Sequence, residues 1–159
     1  MRLITLNGVK LLVYQNGMIL RYSDKNYRTL SKGWNHCDGW LRVDYKVIEI
    51  KHKPYLIHRI VAFAFLGLDI NNVNQIVDHI DRNKLNNNLT NLRIVTSQEN
   101  NFNTNARGYR WNEKVKKFIS YIRYNKKLIY LGCYDNEDKA RQAYLEAKAL
   151  YHIIPEPPN

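Results

Sequence analysis

The sequence predicts an α+β chain. N-terminal β strands and a helix lead into a strand–loop–strand–helix unit, and a small three-stranded antiparallel sheet packed on one helix follows. Three observations predict this. Apolar residues alternate between turn signals as far as Pro54, the period changes to that of a helix at Ile57, and alternation returns from Tyr109 ahead of a last helix lined by Ala and Tyr.

Taken in order, residues 11–15 and 18–22 are expected strands joined by Asn16-Gly17, a pair that tolerates the positive φ of a hairpin turn. A loop containing Gly and Asn over 31–39 precedes 40–45, which alternates as a half-buried strand does. Residues 47–53 are expected to pair with it, and Pro54, which has no N–H, to end the sheet. Ile57, Ile60, Val61, Ala64 and Phe65 then form one stripe of a helix that stops at Gly67.

After a polar linker over 68–75, residues 76–79 read as a strand, 81–90 as a turn-rich loop and 92–95 as a second strand. Thr96 with Glu99 three residues on has the spacing of a capping box, so a helix is expected to begin there. It frays into a linker over 100–108. Strands at 109–111, 117–124 and 127–134 follow, with turns at 112–114 and 125–126. The last helix starts near Asn136, carries Glu137 and Asp138 in its first turn where the dipole favours acids, and runs to about His152. Residues 155–159 read as a loose tail.

The length of 159 residues suits one ordinary domain or two small ones. A composition 45% hydrophobic and 25% charged excludes wholesale disorder. The longest apolar run, Ile60 to Leu66, is far short of the ~20 residues a membrane span needs. With no secretory signal visible, a soluble cytoplasmic protein is expected. Two cysteines, Cys37 and Cys133, cannot build a zinc knuckle or a disulfide framework.

Charge says more. Lys and Arg number 25 against 14 Asp and Glu, and 12 of the aromatic residues are Tyr. Such a chain suits a polyanionic partner, because cationic side chains release counterions from a phosphate backbone. The charge is unevenly spread: residues 1–57 carry net +6, residues 58–105 are neutral and residues 106–159 carry +5. Two basic arms flank a centre whose acids have a different task.

That centre holds the chemistry. Asp78-His79-Ile80-Asp81, Asn86-Asn87-Asn88, Asn91-Leu92-Arg93 and Glu99-Asn100 fall along a strand, a loop, a second strand and a helix. In a ββα hairpin the first turns of the helix can sit beside the strand residue before His79. Asp78 and Asn100 supply oxygens, the donors that hard divalent ions prefer. His79 takes a proton near neutral pH. A hydrated metal, a base and basic surroundings are the components for hydrolysing a phosphodiester.

The run from Ile57-His58-Arg59-Ile60-Val61-Ala62-Phe63-Ala64-Phe65-Leu66-Gly67 through Asp78-His79, Asn86-Asn87, Asn91-Leu92-Arg93 and Glu99-Asn100 resembles the HNH nucleases, specifically the phage and intron-encoded homing endonucleases. The resemblance implies that His79 is the general base, that Asp78 and Asn100 hold one Mg²⁺ or Mn²⁺ with no structural zinc, and that Asn91 braces the loop that orients His79. It also implies double-stranded DNA as partner and a phage-encoded protein at work in the bacterial host cytoplasm. His58-Arg59 either supports the site, touches phosphate, or is a pair on the helix surface. Arg93 either contacts phosphate or braces Asp81, and bracing is preferred.

Arg107-Gly108-Tyr109-Arg110-Trp111, Lys117 to Arg123, Ile129-Tyr130-Leu131-Gly132-Cys133-Tyr134 and the Ala/Tyr helix resemble the apetala/ethylene-response-factor DNA-binding domain. That fold lays its sheet in the major groove. On the matching positions Arg107, Arg110, Tyr121, Arg123 and Tyr130 face DNA, with sheet packing the alternative for the two tyrosines. The expected organisation is therefore a β-rich segment over 1–56 that belongs to the nuclease domain, an HNH ββα-metal core over 57–105, and the DNA-binding domain over 106–159. The function expected is cleavage of a recognised DNA site, by a nick or a double-strand break. The alternative is a silent DNA-binding regulator on a nuclease scaffold. Sequence leaves the oligomeric state, monomer or homodimer, open.

Overall fold

Asn7 and Gly8, at φ of 49° and 73°, close β1 (Arg2–Leu6) onto β2 (Val9–Val13) with Leu6 opposite Val9. After the Asn16-Gly17 turn, β3 (Ile19–Ser23) and β4 (Gly33–His36) complete a four-stranded antiparallel sheet. A second sheet follows in the order β5 (Trp40–Arg42), β6 (Tyr45–Ile50) and β7 (Lys53–Leu56). This computed structural model describes residues 1–154, so the tail at 155–159 lies outside the described residues. The chain divides into two units, Met1–Thr96 and a second that begins at Ser97.

Three sequence expectations change here. β1 and β4 were not expected, and β4 falls inside the region read as a loop. The strand expected over 40–45 breaks at Val43 to make a hairpin. Pro54 does not end the sheet: it sits in β7 opposite Glu49, on an edge strand, where a missing N–H costs no ladder bond.

In the first unit α1 (Ile57–Phe65) buries Ile57, Ile60, Val61 and Ala64 against Leu11, Val13, Ile19, Ile48 and Ile50 from the two sheets. Each fully buried aliphatic side chain contributes about 1.5–3 kcal/mol relative to exposure. Gly67, at φ 76°, lets the Leu68 N–H reach back to Ala62 O and stops the helix. β8 (Ile76–His79) and β9 (Leu92–Val95) pair antiparallel and lay Val77 and Leu92 on the same core, with a 3₁₀ turn at Leu89–Asn91 before β9.

The second unit opens with α2 (Ser97–Phe102). β10 (Tyr109–Asn112), β11 (Lys117–Tyr124) and β12 (Lys127–Tyr134) form a three-stranded sheet, and α3 (Glu137–Tyr151) packs across it. Asn136 caps α3 by accepting from the N–H groups of Asp138 and Lys139. The core is Ile122, Tyr144 and Ala147, with Ile129 and Leu131 beside them. Phe102 stacks on His152 with centroids 4.0 Å apart, and the Lys148 ammonium donates to Thr104 O. These contacts set the division at Thr96/Ser97, whereas the sequence suggested 105/106. Among the described residues no helix is long and apolar enough to cross a membrane.

Candidate active site

β8 ends in Asp78 and His79, both buried. Asp78 lies opposite Arg93 in the ladder, and the guanidinium grips its Oδ2 through Nε at 2.9 Å and Nη2 at 2.7 Å. Arg93 therefore braces Asp78, where the sequence reading favoured Asp81. Asp81 is held instead by amides. Asn91 donates from Nδ2 to Asp81 Oδ1 at 2.8 Å and to Asn86 O at 2.9 Å, and its Oδ1 accepts from the Asp81 N–H at 3.0 Å. Asn86 Nδ2 donates to Asp81 Oδ2 at 2.7 Å. The Asn86 bond, followed by the neighbouring backbone and Asn91, holds the Asp81 carboxyl below the usual carboxylate range. One buried asparagine thus closes the loop that leaves and re-enters the hairpin.

His79 Nε2 faces Asn87 Oδ1 at 3.3 Å, and Asn87 Nδ2 donates to Leu85 O at 3.2 Å. The second bond orients the amide, so its oxygen accepts from His79 Nε2–H and the lone pair lies on Nδ1. Gly17, at φ 86°, abuts the other side of Asn87: a Cβ there would stand 2.9 Å from Asn87 Cβ. The Leu89 N–H donates to Gln15 O at 2.6 Å. The β2–β3 turn thus buttresses the loop that presents Asn87.

Two further rings enclose the histidine. His58 on α1 meets His79 edge-on with centroids 4.9 Å apart, and Tyr45 at the start of β6 lies 5.1 Å from His58 and 6.2 Å from His79. Lys84 spans Asp44 at 3.0 Å and the Tyr45 ring at 5.0 Å. His58 is buried and its Nδ1 has no hydrogen-bond partner. Desolvation first, then the repulsion that a protonated His79 and the Arg59 guanidinium exert on a second charge, pushes its pKa from 6.5 down to about 3. Burial also lowers His79, against the opposing pull of Asn87, Asp81 and Asp78. Both rings are neutral at physiological pH.

That depression has a sign in stability. The unfolded chain binds more protons than the folded one once pH falls below the ordinary histidine value, so stability is complete above about pH 6.5 and is lost as pH drops toward 3. His58→Phe fills the space without a protonatable nitrogen, and should flatten part of that decline. Thermal melts from about pH 7 to about pH 4 check it; parallel curves for the two proteins would exclude His58 as the source.

Arg59 is engaged within the fold: its guanidinium donates to the carbonyls of Gln75 at 2.7 Å, Asn72 at 3.0 Å and Ile70 at 3.5 Å, pinning the segment between α1 and β8. Asp78, His79 and Asn91 are brought together in the first unit, and Asn100 lies on α2 in the second. Sequence reasoning gives no role to Asn87 or Tyr45. Only the ring contacts of Tyr45 with His58 and His79 reveal the tyrosine.

The donors suit a hard ion. Asp78 gives a carboxylate whose Oδ2 is held by Arg93, oxygen chemistry that Mg²⁺ or Mn²⁺ accepts. Cys37 and Cys133 are free, and among the described residues no three His, Cys, Asp or Glu side chains gather as a zinc cage would require.

In the second unit Ser120 and Ile122 face α3, so Tyr121 and Arg123 face away from it. A bulge at Ser120/Tyr121 sets Tyr121 opposite Tyr130. The Arg110 guanidinium lies 5.3 Å above the Tyr121 ring, and Tyr121 meets Tyr130 edge-on at 5.9 Å. Arg110, Tyr121 and Tyr130 thus form a row across three strands, with Arg123 exposed beside it. Arg107 precedes β10 with an exposed side chain, its carbonyl accepting from Arg141 at 2.8 Å.

Residues 55–102 match the family model described as HNH endonuclease. Half of the chain is 36% identical to 41% of an uncharacterized HNH endonuclease of Acanthamoeba polyphaga mimivirus. A 46-residue stretch, 29% of the chain, is 54% identical to a quarter of YosQ, an SPbeta prophage-derived protein of Bacillus subtilis (strain 168) whose name places it among HNH homing endonucleases. The chain spans about two fifths or less of the length of these relatives. Among solved structures, the HNH homing endonuclease I-HmuI aligns with 89% of this chain and 82% of its own, at 24% identity and a TM-score of 0.48. The similarity to the HNH endonuclease family thus falls on residues 55–102, the stretch that contains Asp78, His79 and Asn91.

Proposed function

We propose that the chain is a divalent-metal-dependent DNA endonuclease of the homing type, hydrolysing phosphodiester bonds at a recognised site in double-stranded DNA. The observation that carries this is His79: a neutral imidazole beside Asp78, with Nε2 fixed on Asn87 and its loop closed by Asn91. HNH nucleases are generally divalent-metal dependent, and Asp78 with Asn100 are the residues that would hold the ion. When bound, such an ion supplies charge stabilisation at the phosphate and its leaving oxygen. His79 Nδ1 accepts the proton of the attacking water. Arg93 keeps the Asp78 carboxylate oriented, and Asn91 keeps the loop from carrying His79 away.

Positioning falls to the second unit. Its three-stranded sheet with α3 packed across it supports the apetala/ethylene-response-factor reading, with Arg107, Arg110, Tyr121, Arg123 and Tyr130 against the duplex. The homing-type reading also makes the protein phage-encoded and active in the host cytoplasm. Arg110→Ala and Arg123→Ala should each weaken DNA binding and, for each phosphate no longer neutralised, reduce the slope of log affinity against log salt by about 0.9. Unchanged slopes in filter-binding titrations would remove this face from the DNA contact.

Supercoiled plasmid incubated with the protein, with and without Mg²⁺, tests the whole. Metal-dependent nicked or linear product is expected. Tight binding without cleavage would instead establish the silent regulator.

A further inference from the structure

Val43 is out of place twice over. It is 86% exposed, and it holds φ at +58° in the two-residue turn between β5 and β6. A β-branched side chain at positive φ is strained, and glycine is the preferred residue at the first position of such a turn. The fold therefore keeps an isopropyl group in water at a cost that glycine would remove. Strain of this kind is characteristic of functional positions.

The surroundings say which function. Leu41, on the same hairpin, and Leu85, on the loop that carries Asn87, are also more than half exposed. With Val43, Asp44, Arg82 and Lys84 they line a cleft of about 400 Å³, in which Asp44 is the acid that Lys84 pairs with. This cleft adjoins the catalytic histidine: the Arg82 N–H donates to His79 O at 2.9 Å, and Tyr45, which follows the turn, packs against the His58–His79 pair. Lys84 ties the two walls by reaching Asp44 at 3.0 Å. Three aliphatic tips flanked by Arg82 and Lys84, next to the base, match the apolar wedge and cationic rim with which proteins prise open a base step from the minor groove.

We propose that Val43, backed by Leu41 and Leu85, is a wedge inserted at a base step beside the scissile phosphate, unstacking and kinking the duplex so that the phosphate reaches His79. This rests on the nuclease reading above. Arg82 and Lys84 hold the phosphates on either side of the kink.

The test uses the full chain and Val43→Gly, a variant that relieves the strained turn. Plasmid nicking maps a cleavage site, and an oligonucleotide duplex carrying that site is prepared fully paired or with a mismatch at the flanking step. The variant should melt no lower than the parent, yet cut the paired duplex about ten-fold more slowly. The mismatch, which supplies the unstacking beforehand, should restore its rate to within about two-fold of the parent's. Equal rates for variant and parent on paired DNA overturn the wedge alone, as does a deficit that the mismatch leaves unrepaired. A parent that leaves plasmid intact with Mg²⁺ overturns the nuclease reading and the wedge with it.

Discussion

His79→Ala lowers the rate of metal-supported cleavage by about 10²–10⁴-fold, the range a positioned proton acceptor supplies. The loss should appear in the single-turnover rate and leave DNA affinity almost unchanged, since His79 is 4% exposed and carries no positive charge at neutral pH. Asn87→Ala should reproduce part of it. Without Oδ1 the ring loses the acceptor that keeps the proton on Nε2, and a fraction of the molecules present the wrong nitrogen to water. A His79→Ala protein that cuts within a few-fold of the parent removes His79 from the reaction.

Gly108→Ala unfolds the second unit. Gly108 stands at φ 80°, and a Cβ there would lie 1.9 Å from Tyr144 Cγ. The left-handed backbone alone costs about 1–2 kcal/mol for a residue with a Cβ. Forcing the ring aside adds about 1–3 kcal/mol of overpacking. No slack is available: Tyr144 is one of the three buried residues of this core, and Gly108 O accepts both Ser120 Oγ–H and the Tyr121 N–H. Amide exchange in the full chain should show protection falling across β10 to β12 while β8 and β9 keep theirs. DNA affinity should fall with a shallower salt dependence, because Arg110 and Arg123 lose their frame. Retained protection in β11 would mean that Tyr144 can move aside.

Residues that speak through local spacing are legible. The short apolar runs that open at Ile76 and Leu92 mark their strands, and the stripe from Ile57 to Phe65 carries its own helix. Asn-Gly occurs twice and means two different things. Asn7-Gly8 makes the two-residue turn, with Leu6 opposite Val9, while Asn16-Gly17 lies in a wider loop between Val13 and Ile19. The sequence reading used only the second pair, and β1 went unseen with the first. Pro54 speaks through its missing N–H, a sound reason in a central strand that does not apply on an edge. In the site, Asp78, His79 and Asn91 announce themselves by type and spacing. Arg93 does not choose between Asp78 and Asp81 until cross-strand register chooses for it. Tyr45 and Asn87 are silent, and His58 leaves its role open, for a different reason. They come from three separate elements, and only tertiary packing brings their side chains to one imidazole.

Gly17 and Gln15 reach the loop that carries Asn87 from far upstream of the stretch that matches the family model. A signature found by aligning sequences is therefore smaller than the structure that holds His79 in place. Transplanted onto another scaffold, residues 55–102 would carry the base and its brace but leave behind the turn against which Asn87 rests.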